Sequence, residues 1–324
     1  MEMRLEIKPF SFHLLKPIQT SQRIISRKEG WLIKLEDQDS RVGWGEISSL
    51  NSSELNQCKK ILEKIGRSPT KENLENQIKT WPGPVGFAFG AALAEMNCLI
   101  GDGTKQKWLQ ISSSAVLLPS NELELLKCLD STLENQYENC TKALTFKWKV
   151  ANYSNAIESI LLQKILKKLP NDALLRIDAN CGWTRNQAKE WAQELHQEPR
   201  LEWLEQPLPV GDIEGLEKLA EDIPVALDES LIKTPSLRKT WKSWQIRRPV
   251  LEGDPRILLK ELTNKTGYRV ISTSFETGIG RRWVEHLAAL QQESSTPTQP
   301  GLAPGWLPSS PLFNKNPRTV WEAA

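Results

Sequence analysis

Over its first fifty or so residues the chain alternates apolar and polar positions. The stretches HLLKPIQTSQRIISRKEGWLIKLED and VGWGEISSL keep a period of two and read as antiparallel strands, with turn signals at Lys28–Gly30 and Asp37–Ser40. The period then lengthens. Leu55 to Ile65, Leu74 to Thr80 and, after the breaker WPGP, Phe87 to Leu99 carry helical spacing. Strands followed by helices make an α+β unit of roughly one hundred residues.

From about Ser113 the rhythm changes to short apolar runs separated by amphipathic helices. The runs are SSAVLLP, ALTFKWKV, ALLRIDAN, LEWLEQP, PVALDES, WQIRRPV and YRVISTS. Between them lie helical stretches at Glu122–Cys140, Asn155–Leu169, Arg185–His196, Ile213–Glu221, Pro235–Trp241, Pro255–Thr266 and Gly278–Gln291. Repeated strand–helix units imply parallel strands covered by helices, and closed into a ring they form an α/β barrel. A doubly wound open sheet is the alternative, but the glycine-rich phosphate loop that usually follows its first strand is not in the sequence. The expected division is an α+β domain over 1–105, with part of the tail 300–324, and a barrel over 106–299. The tail, Ser294 to Ala324, is rich in Pro, Gly and Ser and reads as irregular chain packed back on the first domain.

Composition narrows the function classes. At 39% apolar and 25% charged residues the chain is a folded globular protein rather than a disordered one. Lys and Arg number 42 against 40 Asp and Glu, a net charge of +2, which argues against nucleic acid as a partner. No run of about eighteen apolar residues suggests a membrane span, and MEMRLEIKPF lacks the layout of a signal peptide. The five cysteines (Cys58, Cys98, Cys128, Cys140 and Cys181) are scattered and form no CxxC, so neither a disulfide framework nor a zinc site is expected, and a cytoplasmic location is.

Barrel active sites lie at the C-terminal ends of strands. Polar residues at those ends are Lys147 and Lys149, Asp178 and Asn180, Glu205, Asp228 and Glu229, Arg248, and Ser272 to Glu276. Alternation along TFKWKV puts Phe146, Trp148 and Val150 on one face and both lysines on the other, inside the barrel. The same rule sends Arg176, Asp178 and Asn180 inward, pairs Trp203 with Glu205, and pairs Ala226 with Asp228. Three carboxylates on consecutive strand ends repel in a partly dry cavity, and a divalent cation such as Mg²⁺ resolves the conflict. The plain alternative is that each is a solvated strand end or helix cap. Two inward lysines also repel, and that repulsion with desolvation lowers the pKa of one, as a lysine base requires. Two solvated surface lysines are the alternative, and Phe146 and Trp148 beside them count against it. His13, His196 and His286 read as packing or surface residues.

The order Lys-x-Lys, Asp, Glu, Asp on successive strands resembles the enolase superfamily. Within it, GWGEI (Gly43–Ile47), FAFGAALAE (Phe87–Glu95), TFKWKV, RIDANCGW (Arg176–Trp183), WLEQPLP (Trp203–Pro209), ALDESL (Ala226–Leu231), RRPVLEGDP (Arg247–Pro255) and STSFETGIG (Ser272–Gly280) resemble the o-succinylbenzoate synthase family. The resemblance implies a modified (β/α)₇β barrel, TIM-like, under an α+β capping domain whose loops, Lys16–Ser26 and Ser48–Ser53, close over the substrate. It implies that Lys149 is the base, Lys147 its partner, and Asp178, Glu205 and Asp228 the Mg²⁺ ligands, with Asn180 and Glu229 nearby. Ser272, Ser274 and Glu276, with Gly301 and Leu302, then line the end of the pocket that holds a succinyl carboxylate. The implied reaction is Mg²⁺-dependent dehydration of a small cyclohexadiene carboxylate in menaquinone or phylloquinone synthesis, by a monomer or small homo-oligomer. One position departs. Arg248 stands where the superfamily has a second active-site lysine, and a guanidinium is a poor proton acceptor at neutral pH. That weakens the alternative of an N-acylamino-acid racemase or dipeptide epimerase, which needs two bases, more than it weakens a one-base dehydratase. A catalytically silent metal-binding scaffold is the remaining alternative, and the intact Lys149, Asp178, Glu205 and Asp228 count against it.

Overall fold

The computed structural model describes residues 2–19, 24–101, 104, 106–111, 113–139 and 144–324. The expected cap loop Lys16–Ser26 and the helix end at Cys140 lie partly outside them. Three strands come first: β1 (Arg4–Gln19), β2 (Ile24–Glu36) and β3 (Val42–Ser49), in sheet order β1-β2-β3. The turn at Asp37–Ser40 forms, with Ser40 N donating to Asp37 O and φ at +60°. The turn read at Lys28–Gly30 does not: β2 runs straight through it. Gly30 has another purpose. A Cβ there would lie 2.1 Å from Ile47 O on the paired strand, so only glycine fits the close approach.

The helix Gly83–Met96 packs on β3, and its sequence explains how. WPGP separates this helix from the turn ending at Thr80, as expected, and its second half also starts the helix, because proline fits the first turn where its missing N–H costs nothing. Small residues make a flat face. Ala88 and Ala92 bring the helix backbone so near β3 that a Cβ on Gly43 would lie 1.9 Å from Ala92 O, and one on Gly45 2.2 Å from Ala88 O. Ile33, Leu35, Ile47, Leu62, Val85 and Phe89 close the core around that contact. Gly45→Ala should therefore cost about 3 kcal/mol through overpacking against rigid backbone, read as a lower urea midpoint; an unchanged midpoint would mean that the helix moves freely.

Seven short parallel strands follow: β4 (Val116–Leu117), β5 (Thr145–Lys149), β6 (Leu174–Asp178), β7 (Leu201–Glu205), β8 (Val225–Leu227), β9 (Trp244–Arg247) and β10 (Arg269–Ile271), hydrogen-bonded in sheet order β10-β9-β8-β7-β6-β5-β4. Each falls inside one of the apolar runs. With the intervening helices they make the modified (β/α)₇β, TIM-like architecture, and the chain also carries an antiparallel α+β cap. Thr184 begins the helix Arg185–Leu195 with a complete capping box to Gln187. Two short helices escape the hydrophobic pattern, Glu229–Lys233 and Pro249–Glu252, each starting within two residues of a strand end. The tail is more ordered than its composition suggests. Asn316 caps a helix at Pro317–Ala323, Trp321 packs on Trp44 with ring centroids 5.6 Å apart, and Phe313 meets Phe12 edge-on at 4.8 Å.

The chain divides into two compact units, one of Met1–Lys16, Ser26–Ser112 and Arg247–Ala324, the other of Pro17–Ile25 and Ser113–Ile246. The second is built on Phe146, Trp148, Leu162, Ile165, Leu175, Ile177 and Trp191. The first adds to its sheet–helix core a cluster of Phe87, Val250, Leu259, Ile271, Trp283 and Leu287. No helix among the described residues is long and apolar enough to cross a membrane.

Candidate active site

Strand register assembles the site in the second unit. Lys149 pairs with Asp178, Asp178 with Glu205, and Glu205 with Ala226, so these positions form one row across β5 to β8 and point to one face. Asp228, two residues beyond Ala226, follows at the end of β8. The opposite face belongs to the helices: Trp148 packs 6.0 Å from Trp191 of the helix Arg185–Leu195. One step earlier, Lys147, Arg176 and Trp203 make a second row. There the Arg176 guanidinium lies 4.2 Å over the Trp203 ring and also pairs with Glu202.

Asp178, Glu205 and Asp228 are at no more than 2% exposure and Lys147 is buried, while Lys149 is half-buried. Lys149 Nζ donates to Asp178 Oδ2 at 2.7 Å and to Asn180 Oδ1 at 2.6 Å. Lys147 Nζ lies 2.9 Å from Asp178 Oδ2 and 2.5 Å from Glu205 Oε1, an ammonium between two carboxylates. Burial alone would raise the Asp178 pKa; the charges of Lys147 and Lys149 overcome it and hold that carboxyl below the usual range. Glu205 goes the other way. Burial first, then the negative charge of Asp178, push it up to about 7, with Lys147 opposing and Asp228 adding to the rise.

The loops after the strands are fixed by strained backbone. Asn180 (φ +43°), Cys181 (+66°) and Gln206 (+36°) all sit at strand ends with left-handed backbone. Asn180 N donates to Asp178 Oδ1, and its amide donates to Glu229 Oε1 at 3.0 Å. Gln206, fully buried, accepts from the backbone N–H groups of Asp228 and Ser230 and donates to Ser230 Oγ. It thereby sets the backbone that carries Asp228. Within WLEQPLP nothing but its place directly after a strand-end carboxylate marks Gln206 for this role.

The donor set suits a hard divalent cation: three buried carboxylates from successive strand ends, where burial first and then the charges of Asp178 and Asp228 disfavour the ionised form of Glu205. As the side chains stand, Lys147 links Asp178 to Glu205, and no three His, Cys, Asp or Glu side chains among the described residues converge on a single point.

The remaining expected site residues lie in the first unit. Arg248 Nη1 donates to Thr273 O at 2.6 Å. Its neighbour Arg247 is a packing residue instead, 2% exposed and held by Glu252 and Glu261. Ser272 and Gly301 form a β-bridge, while Leu302 is buried in the cluster with Ile271 and Trp283. Glu276 turns back on its own loop, accepting from Thr273 Oγ1 and Ser274 N. Burial holds the His286 pKa down at about 4, and its ring accepts from Leu109 N, a packing role as expected.

Residues 131–243 match the family described as enolase C-terminal domain-like. The o-succinylbenzoate synthase of Thermosynechococcus vestitus is 29% identical over 300 residues, covering 88% of each chain. The L-Ala-D/L-Glu epimerase of Bacillus subtilis is 26% identical over 260 residues, 71% of this chain and 67% of its own. Among solved structures, the o-succinylbenzoate synthase of Thermosynechococcus elongatus, complexed with Mg in its active site, superposes with a TM-score of 0.77 at 24% identity, over 99% of this chain and 100% of that one. Residues 131–243 thus resemble the enolase C-terminal domain, and the fold of the chain is that of the solved o-succinylbenzoate synthase.

Proposed function

We propose that this chain is an o-succinylbenzoate synthase, which removes water from a cyclohexadiene carboxylate bearing a succinyl side chain and a β-hydroxyl. One observation carries the choice of reaction: a lysine pair ends β5, while the position after β9 holds Arg248 and not a second lysine. Racemases and epimerases of this superfamily need a base on each face of the substrate; a syn-dehydration needs one.

In this reading Lys149, held by Asp178 and Asn180, takes the α-proton and leaves an enediolate. The same ammonium then gives its proton to the departing hydroxyl, the C–O bond breaks, water leaves and the ring becomes aromatic. Lys147 keeps Asp178 and Glu205 from repelling one another. Arg248 supplies a fixed positive charge for the planar anion. Asp178, Glu205 and Asp228 would hold Mg²⁺, which supplies Lewis-acid stabilisation of charge on the substrate carboxylate. Residues 1–105 serve as the cap and 106–299 as the barrel. The site takes a small carboxylate in the cytoplasm, within menaquinone or phylloquinone synthesis.

The test is incubation of purified protein and Mg²⁺ with the cyclohexadiene substrate, following the aromatic product by ultraviolet absorbance. Chelation should abolish turnover and added Mg²⁺ should restore it, and Mn²⁺ should bind as followed by paramagnetic resonance. N-acylamino acids should racemise little or not at all. Efficient racemisation without dehydration would replace this reading with the epimerase one.

A further inference from the structure

Lys28 reads in the sequence as part of a turn; in the structure it is 1% exposed in the middle of β2. Its Nζ donates to Ser274 O at 2.5 Å, across 246 residues of chain. The adjacent carbonyl, Thr273 O, accepts from Arg248 Nη1 at 2.6 Å. Two cations thus grip consecutive carbonyls of one short segment. Two carboxylates hold the rest of it. Glu276 accepts from Thr273 Oγ1 and Ser274 N, and Glu46 accepts from Thr277 N (2.9 Å), Thr277 Oγ1 (2.6 Å) and Gly280 N (3.2 Å). Phe275 between them has φ +63°. Within this framework Ser274 Oγ is fully buried and makes no hydrogen bond.

An apolar side chain in place of Lys28 would fill its space without the desolvation cost of a buried ammonium. Its parity neighbours Gly30 and Leu32 show what that face of β2 otherwise carries. What the ammonium adds is direction: it fixes the Ser274 carbonyl, and with it the rotation of the peptide that bears Ser274 Oγ. Burial drives the Lys28 pKa down, Glu276 and Glu46 pull it back up, and Arg248 adds to the fall.

We propose that Lys28 is a positioning residue for substrate binding: it fixes the Thr273–Thr277 segment so that Ser274 presents its hydroxyl to the side-chain carboxylate of the substrate. This rests on the synthase reading, in which that segment lines the far end of the pocket. Lys28 touches no reacting atom, so its loss weakens binding and leaves the chemical step largely intact.

The test uses the full chain with Lys28→Met, which keeps length and removes the donor, and Lys28→Arg, which keeps charge and donor. Amide hydrogen exchange over residues 272–280 is read without substrate; kcat and KM are read with it. Lys28→Met should speed exchange in that segment about tenfold while β5 to β7 stay unchanged. It should raise KM about ten- to hundredfold with kcat within about threefold, and Lys28→Arg should restore both. Parent-like exchange and KM in Lys28→Met would overturn the proposal, as would a fall in kcat at unchanged KM. Should Lys28→Met not fold, the parent decides: the amides of Ser274, Thr277 and Gly280 must be protected without ligand, and rapid exchange there overturns the assignment. A parent that fails to dehydrate the substrate sinks the synthase reading, while the exchange comparison still decides whether Lys28 holds the segment.

Discussion

Lys149→Ala should remove essentially all turnover, about 10⁴-fold or more, because one side chain supplies both the base and the acid of the proposed reaction. The fold should survive. Asp178 loses one ammonium at 2.7 Å but keeps Lys147 at 2.9 Å, so its carboxylate is not left without a cation. Mn²⁺ affinity should stay near the parent value, since a proton acceptor is deleted and no carboxylate is. Lys147→Ala should differ in kind. It removes the ammonium between Asp178 and Glu205 and exposes each to the other's charge. Turnover should fall less than in Lys149→Ala, while urea stability falls more. Steady-state rates, Mn²⁺ titration and urea unfolding on the two variants make the comparison. Unimpaired turnover in Lys149→Ala would refute the assignment.

Two neighbouring arginines should respond in opposite ways. Arg247→Met should destabilise the protein by about 3–5 kcal/mol, the usual result of removing one partner from a buried ion pair. Glu252, with a side chain 6% exposed, would lose the Arg247 guanidinium, and Glu261 would lose it too while keeping the Arg269 contact at 3.1 Å. If Arg248 has the electrostatic role proposed for it, Arg248→Met should lower turnover about 10²-fold by removing a fixed positive charge, at a smaller cost in stability. Arg248→Lys should retain dehydration. A parent-like rate in Arg248→Met would deny the cation any catalytic role. A large loss of rate in Arg247→Met at full stability would mean that the two positions had been assigned the wrong way round.

Legibility differed from element to element for physical reasons. TFKWKV was readable because alternation in a strand is strictly local: Phe146 and Trp148 among helices require Lys147 and Lys149 on the other face. The seven parallel strands were readable because each is a short apolar run between amphipathic helices. The short helices Glu229–Lys233 and Pro249–Glu252 were not, since four or five residues are too few to show a helical period. WPGP was legible as a break, but the helix after it begins at Gly83 rather than Phe87, because proline, which ends a helix from within, is accepted in its first turn. The tail helix at Pro317–Ala323 hid behind composition: Asn316 as cap and proline at the first position outweigh a Pro- and Gly-rich setting.

By itself, then, the sequence determined the strand–helix order and the face on which each strand-end residue lies. It also held Arg248 in place of a second lysine, on which the proposed one-base reaction rests. These are properties of spacing and residue type, carried within a few positions of the chain. Only the tertiary structure decided which charges meet. Lys147 sits between Asp178 and Glu205, Gln206 holds the backbone of Asp228, and Lys28 reaches Ser274 rather than solvent. Alternation states which way a side chain points and says nothing of what stands there. For a buried charge that partner sets the pKa and the cost of removing it, and it comes from residues tens to hundreds of positions away.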